Sequence, residues 1–208
     1  MQQKIIELDL DTLDWNKGDG LLPLIAQDAR TLRVLMLGFV NREAMKATLE
    51  SGFVTFYSRT KQRLWRKGET SGNMLRVLEL RNDCDNDSVL ALVEPAGPTC
   101  HTGAQSCFGD DATPSLSTLA ELAKTIHQRK TEAQPDKSYT AKLLAEGVTR
   151  IAQKVGEEGV ETALAAATQS PKLAEEAADL LYHLLVLLES RDTDWLDVMR
   201  VLAHRAGK

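Results

Sequence analysis

The chain has only three cysteines in 208 residues. An odd number so small excludes a closed disulfide framework as the basis of the fold, and free thiols suit a reducing compartment. Positive charge is also short: 25 Lys and Arg stand against 30 Asp and Glu, a net charge of −5, which does not suggest a nucleic-acid partner. No apolar run approaches the roughly 20 residues of a spanning helix; Leu180 to Leu188 is too short and contains His183. The N-terminus lacks an apolar core of signal-peptide length, and there is no internal repeat or low-complexity tract. These absences predict a soluble cytoplasmic protein with no membrane association. A hydrophobic fraction of 43% is enough for one large core or two small ones.

The chain changes character near Phe108-Gly109-Asp110-Asp111-Ala112-Thr113-Pro114-Ser115, where glycine, proline and acids read as a linker. The expected division is residues 1–108, linker 109–115 and residues 116–208. In the first part, Leu21 to Ala26, Thr31 to Gly38, Gly52 to Ser58, Asn73 to Leu80 and Ser88 to Val93 read as strands. Asn41 to Ser51 reads as a helix with Asn41 as N-cap and Gly52 as its stop, and Asp11 to Trp15 as a short helical turn. The second part is helical throughout. Thr118 and Glu121 form a capping box; a stretch from Ser138 to Ala167 breaks near Gly147; Ser170-Pro171 opens a third helix to about Ser190; Thr193 caps a fourth. The predicted architecture is a β-rich α+β domain followed by an all-α bundle.

All three cysteines, Cys84, Cys100 and Cys107, gather beside three carboxylates, Asp83, Asp85 and Asp87, and one histidine, His101. Thiolates suit zinc and carboxylates suit magnesium. The cysteine spacing is not that of a zinc ribbon or finger. Three thiolates leave a fourth tetrahedral position for water, substrate or His101, and an open position is the mark of a catalytic zinc. In an extended segment, alternation would put the three aspartates on one side and Cys84 on the other. Crowded carboxylates repel one another unless a cation or a lysine sits among them. Taken singly, each cysteine also reads as a small buried hydrophobe, and the aspartates as a solvated turn. His101 reads equally as ligand, general base or packed neighbour.

Upstream, Ser58 to Gly72 is basic. Arg59, Lys61 and Lys67 are candidates for phosphate, Trp65 for stacking on a base, and Gly68, Ser71 and Gly72 for backbone approach to an anion; a solvated basic hairpin is the plainer reading. Together with Met36-Leu37-Gly38-Phe39-Val40-Asn41-Arg42-Glu43-Ala44-Met45, Asp83-Cys84-Asp85-Asn86-Asp87 and Cys100-His101-Thr102-Gly103, these residues resemble phosphoribosyl-AMP cyclohydrolase of histidine biosynthesis over about residues 18 to 108. The resemblance implies a homodimer with zinc sites at the subunit interface, thiolates drawn from both chains, zinc on Cys84, Cys100 and Cys107, magnesium on Asp83, Asp85 and Asp87, and hydrolytic opening of the purine N1–C6 bond. His101 is placed among the catalytic candidates.

The second half carries Lys154, Glu157, Glu158 and Glu161 within an arc of roughly 100° of one helix, and Glu176, Asp179 and His183 within roughly 60° of the next. The latter stripe lies on an otherwise apolar helix and should face inward or into a cleft. Facing carboxylate stripes require cations, and oxygen ligands suit magnesium on a polyphosphate. Gly156 and Gly159 suggest close approach by a helix or ligand. A solvated face with ion pairs to Lys154 and Arg150 is the alternative. This half is similar to the all-α nucleoside triphosphate pyrophosphohydrolases, and the run from Ser138 through Ala163 to phosphoribosyl-ATP pyrophosphatase. By that resemblance Glu157, Glu158, Glu161, Glu176 and Asp179 hold magnesium, Glu158 and Glu161 are catalytic, and Lys154, with Lys142, contacts phosphate.

The two halves together resemble the bifunctional histidine-biosynthesis hydrolase, with nucleotide substrates and both Zn2+ and Mg2+ as cofactors. Its rivals are a nucleotide-cleansing pyrophosphohydrolase fused to a zinc deaminase, and a noncatalytic zinc-stapled module joined to a dimerising bundle.

Overall fold

The computed structural model describes residues 8–109 and 117–207. Residues 1–7, part of the segment expected to lack a signal peptide, and 110–115 of the expected linker lie outside them. The chain divides into two compact units, 1–115 and 116–208.

The first unit is built on a four-stranded sheet. Its elements are β1 (Leu22–Asp28), β2 (Val34–Val40), α1 (Arg42–Ser51), β3 (Thr55–Ser58), β4 (Arg63–Arg66), β5 (Leu75–Asn82) and β6 (Val89–Pro95). The sheet order is β2-β1-β6-β5, with β1 parallel to β6 and the other pairs antiparallel. Period-two alternation sends Leu22, Leu24 and Ala26 of β1, and Val89, Ala91 and Val93 of β6, into one core. In β5 a bulge between Val77 and Glu79 rephases the alternation, so that Leu75, Val77 and Leu80 all point inward. Helix α1 closes the core with Ala44, Met45 and Thr48. The Asn41 side chain accepts from Ala44 N, and Gly52 donates its N–H to Thr48 O, as the sequence predicts for both ends.

The Gly52–Ser58 run holds only the short β3, and the basic segment supplies its antiparallel partner β4, a strand that the sequence reading passes over. Arg63-Leu64-Trp65-Arg66 offers little apolar pattern, yet Trp65 stacks on the buried Phe56 at 5.7 Å. Asp11–Trp15 forms turns instead of a helix: Trp15 Nε1 donates to Leu10 O at 2.9 Å and buried Leu13 anchors the segment.

The second unit has α2 (Ser117–Glu132), α3 (Tyr139–Glu146), α4 (Val148–Ala167), α5 (Leu173–Ser190) and α6 (Trp195–Arg205). Among the described residues these are five helices where four were expected, because the break near Gly147 separates α3 fully from α4. Ser138 caps α3 through Ala141 N. Helix α2 starts at Ser117, which puts Thr118 inside its first turn. Ser170 Oγ accepts from Lys172 N ahead of α5, whose first turn begins at Leu173. Asp194, not Thr193, caps α6 by accepting from Leu196 N. Ile126, Leu143, Ile151, Leu185 and Val186 form the core, and α4 packs most extensively on α5. No described helix is long and apolar enough to cross a membrane.

Gly38 of β2 is the tightest constraint on the first core. A Cβ there would lie 2.4 Å from Phe56 Cδ1, and Phe56 in turn carries Trp65. Gly38→Ala therefore forces the buried ring to shift, at a cost of about 1–3 kcal/mol. A lowered first-unit melting transition in calorimetry is the expected outcome; an unchanged one would show that the ring yields freely.

Candidate active sites

The first site sits on two loops. Asp83 to Asp87 form the turn joining β5 to β6. Alternation along an extended segment is thus not what gathers the carboxylates. Asn86 takes a positive φ of 61°, and Asp83 Oδ1 accepts from Asp87 N at 3.0 Å and Ser88 N at 3.1 Å. Those bonds fold the turn, and hydrogen bonds from Ser88 foremost hold the Asp83 carboxyl below the usual range. Carboxylate oxygens of Asp83, Asp85 and Asp87 then lie within 4.8 Å of one another. Lys17 supplies the counter-charge, with Nζ 2.6 Å from Asp85 Oδ2 and 3.3 Å from Asp87 Oδ2. Crowded carboxylates call for a cation or a lysine among them, and the fold delivers this one from 68 residues away. Its ammonium is held charged chiefly by the hydrogen bond to Asp85.

The cysteine loop is pinned to β2. Cys107 N donates to Leu35 O at 2.8 Å, Ser106 Oγ donates to Val34 O at 2.7 Å, and Cys100 N donates to Ala104 O at 3.0 Å. This brings the Cys100 and Cys107 thiols into mutual hydrogen-bond range. Thr102 Oγ1 donates to Cys100 Sγ at 3.2 Å and pulls that thiol below its ordinary value. Desolvation and neighbouring Cys100 push the Cys107 thiol up. Cys84 stays apart: the three sulfurs do not gather within 4.8 Å in one chain. His101 Nδ1 is 3.8 Å from Cys100 Sγ. The Thr99 hydroxyl, one residue before Cys100, is buried without a partner among the described residues.

The substrate candidates disperse. Gly68 and Gly72 line an open groove of about 920 Å3 with Arg66, Glu69, Thr70 and Met74. Arg59 lies over the Phe39 ring at 3.9 Å, Lys61 N donates to Ser58 Oγ, and Ser71 Oγ accepts from Asn73 N. Trp65 gives one face to Phe56. Lys67 is only 7% exposed; burial lowers its proton affinity, while the Cys107 and Cys100 thiols oppose that shift.

The second site lies on α4 and α5. Glu158, Glu161 and Glu176 place carboxylate oxygens within 4.8 Å of one another. Glu157 and Asp179, expected beside them, are outside that group. Glu157 instead pairs with Lys154 at 2.9 Å and Gln153 at 2.8 Å. Glu158 is buried, 2.7 Å from Lys154 Nζ and 3.7 Å from His183 Nδ1. Buried His183 faces Asp179 O at 2.9 Å through the same nitrogen, but the stripe expected to face inward does so only at His183: Glu176 is half-buried and Asp179 exposed. Among the described residues nothing approaches Gly156 or Gly159 closely: no atom lies within 4 Å of a Cβ at Gly156, and Leu180 Cδ1 is 3.9 Å from one at Gly159. Lys142 lines a separate depression with Asp136 and Glu146.

The neighbouring carboxylates diverge in proton affinity. Lys154 holds Glu158 below the ordinary range, whereas repulsion from Glu158, desolvation and Glu176 raise Glu161 above it. A carboxylate whose folded pKa is raised favours the folded state below its unfolded pKa and loses that contribution as pH rises through the folded value. Ionised Glu161 therefore opposes folding at neutral pH.

A thiol pair and an acid cluster on separate loops of the strand-rich unit, and a second acid cluster on paired helices, are side-chain sets of the kind hydrolases use. The phosphoribosyl-AMP cyclohydrolase profile matches residues 36–109, and the phosphoribosyl-ATP pyrophosphohydrolase profile matches residues 119–206. The histidine biosynthesis bifunctional protein HisIE of Escherichia coli K12 is 58% identical over 93% of this chain and 95% of its own length. The HisIE of Xanthomonas campestris is 55% identical over 94% of both. The chain belongs to this bifunctional histidine-biosynthesis family, hydrolases with a cyclohydrolase and a pyrophosphohydrolase domain.

Glu161→Gln is expected to raise the melting temperature of the chelator-treated protein at neutral pH while abolishing pyrophosphohydrolase activity. The thermal gain should vanish as pH falls below the ordinary glutamate range, and a melting temperature that drops at neutral pH would contradict the repulsion.

Proposed function

We propose that the helical unit hydrolyses the α–β phosphoanhydride of phosphoribosyl-ATP, and that the strand-rich unit then adds water across N1–C6 of phosphoribosyl-AMP, giving the formimino-carboxamide ribonucleotide. The observation that carries this is the coexistence, in one chain matching both families, of a thiol pair and two converged carboxylate clusters.

Both donor sets fit the metals proposed for them. Cys100 and Cys107 are soft ligands for zinc, with Cys84 as the third, and the clustered Asp83, Asp85 and Asp87 are hard ligands for magnesium. Glu158, Glu161 and Glu176 suit a second magnesium site, with Glu157 and Asp179 at its margin. When bound, zinc would lower the pKa of water at the cyclohydrolase site, and magnesium would neutralise phosphate charge. Glu161, exposed at the open side of the cluster, is the residue proposed to take the proton of the attacking water. Buried Glu158, fixed by Lys154, holds the geometry. His101, beside Cys100, is the proposed proton carrier of the ring-opening step. Gly68 and Gly72, with Arg66 and Thr70, give the purine nucleotide its groove, while Arg59, Lys61 and Ser71 lie outside its lining and are proposed to reach the phosphate. Trp65 offers its free face, and Lys67 balances charge at the thiols.

The enzyme is proposed to act as a cytoplasmic homodimer. The separation of Cys84 from the other two thiols supports a zinc site shared between chains. Exposed Val160 and Leu164 on α4, with Leu173 and Leu181 on α5, provide apolar surface for a partner.

With phosphoribosyl-ATP as substrate and magnesium in excess, a zinc-selective chelator should arrest the protein at phosphoribosyl-AMP. Cys107→Ser should do the same in a folded chain, whereas a noncatalytic zinc staple would lose its fold, and a deaminase would release ammonia. Unfolding and refolding Cys84→Ser together with Cys107→Ser should restore part of the cyclohydrolase activity that neither variant has alone. Absence of any restoration would refute the shared site.

A further inference from the structure

Lys17 occupies the acid cluster in a way that the proposed chemistry does not use. Its backbone is fixed on both sides. Asp14 N donates to Asn86 O, inside the aspartate turn itself, at 2.8 Å; Gly20 N donates to Trp15 O at 2.8 Å, and Leu21 N to Gly18 O at 2.9 Å. Leu13, 4% exposed, sinks into the sheet core. The segment is thus a rigid arm bonded to the loop that carries the carboxylates. Only the lysine side chain is free to move, and 43% of it is exposed.

The ammonium touches Asp85 Oδ2 and Asp87 Oδ2, two of the three carboxylates that lie within 4.8 Å of one another. A magnesium ion draws its oxygen ligands to about 2.0–2.1 Å, and an ammonium hydrogen-bonded to the same oxygens competes with it for their lone pairs. The two like charges also repel at such range. A four-carbon stem with a strongly hydrated head can swing into water without disturbing the arm. Asp83 behaves differently: its Oδ1 is committed to backbone amides, so the turn stays folded whichever cation is present.

We infer that Lys17 is a tethered competitor for the divalent cation at Asp83, Asp85 and Asp87, a positioning residue that keeps the empty cluster assembled and sets the cation concentration at which the site fills. The inference rests on the reading of that cluster as a magnesium site. The ammonium offsets repulsion in the metal-free state, and a divalent ion must displace it. Filling therefore requires an ion of higher charge density than the lysine's, which discriminates against monovalent cations. Two exposed ion pairs of ordinary strength are lost on displacement, which sets the effect at about tenfold in affinity.

The test uses full-length protein with Glu158→Gln and Glu176→Gln, which silence the helical cluster, and follows Mn2+ binding through the paramagnetic resonance of the free ion. Lys17→Met is expected to bind Mn2+ about tenfold more tightly than the parent, and Lys17→Arg to stay within about twofold of it because the charge remains. Unchanged or weaker Mn2+ binding in Lys17→Met, with binding abolished by Asp85→Asn, would overturn the competitor role and leave the metal site standing. Mn2+ binding that survives Asp85→Asn undiminished would overturn the metal site and the inference together.

Discussion

Repulsion between gathered carboxylates is the constraint on which both halves depend. Each half brings three acidic side chains within 4.8 Å, an arrangement that opposes folding unless positive charge is near. The two halves meet it in different ways. In the helical unit Lys154 is three and four residues from Glu157 and Glu158, so local helix geometry guarantees the pairing. In the strand-rich unit the counter-charge comes from Lys17 on a separate segment, delivered by a main-chain bond between Asp14 and Asn86. In the helical unit part of the repulsion stays in place, as the raised proton affinity of Glu161 records.

Soft and hard chemistry are kept on different pieces of backbone. The thiols of Cys100 and Cys107 ride on a loop tied to the edge strand β2, and the aspartates ride on the turn beyond the opposite edge strand β5. Cys84 belongs by position to the aspartate turn and by chemistry to the thiols. Its separation from them within one chain is the geometric reason to look to a second chain for completion.

Features with a local cause could be read from sequence. The Asn41 and Gly52 ends of α1, the Ser138 cap and the break at Gly147 each depend on residues a few positions apart. The otherwise apolar surface of α5 pointed to an inward polar stripe, and of that stripe only His183 is buried while Asp179 stays exposed. Strand β4 was hidden because its stability comes from Trp65 packing on Phe56, a contact across the hairpin that overrides a polar local pattern. The aspartate turn was misread because alternation along a sequence implies opposite faces only when the backbone is extended. Here Asp83 bonds to Asp87 and Ser88 amides and curls the segment instead.

The same reasoning explains which site residues eluded the sequence. A motif names the groups that do chemistry, since those must be of particular types at particular spacings. It does not name what holds them, because many residues at many distances can do so. Lys17, Thr102 and the Ser106 hydroxyl all act through geometry that exists only after folding. Lys67 shows the converse. Its basic neighbourhood suggests phosphate; in the fold it is buried, and the Cys107 and Cys100 thiols raise the proton affinity that burial lowers. The character of a charged side chain here is set less by the run of sequence around it than by which partners share its loss of solvent.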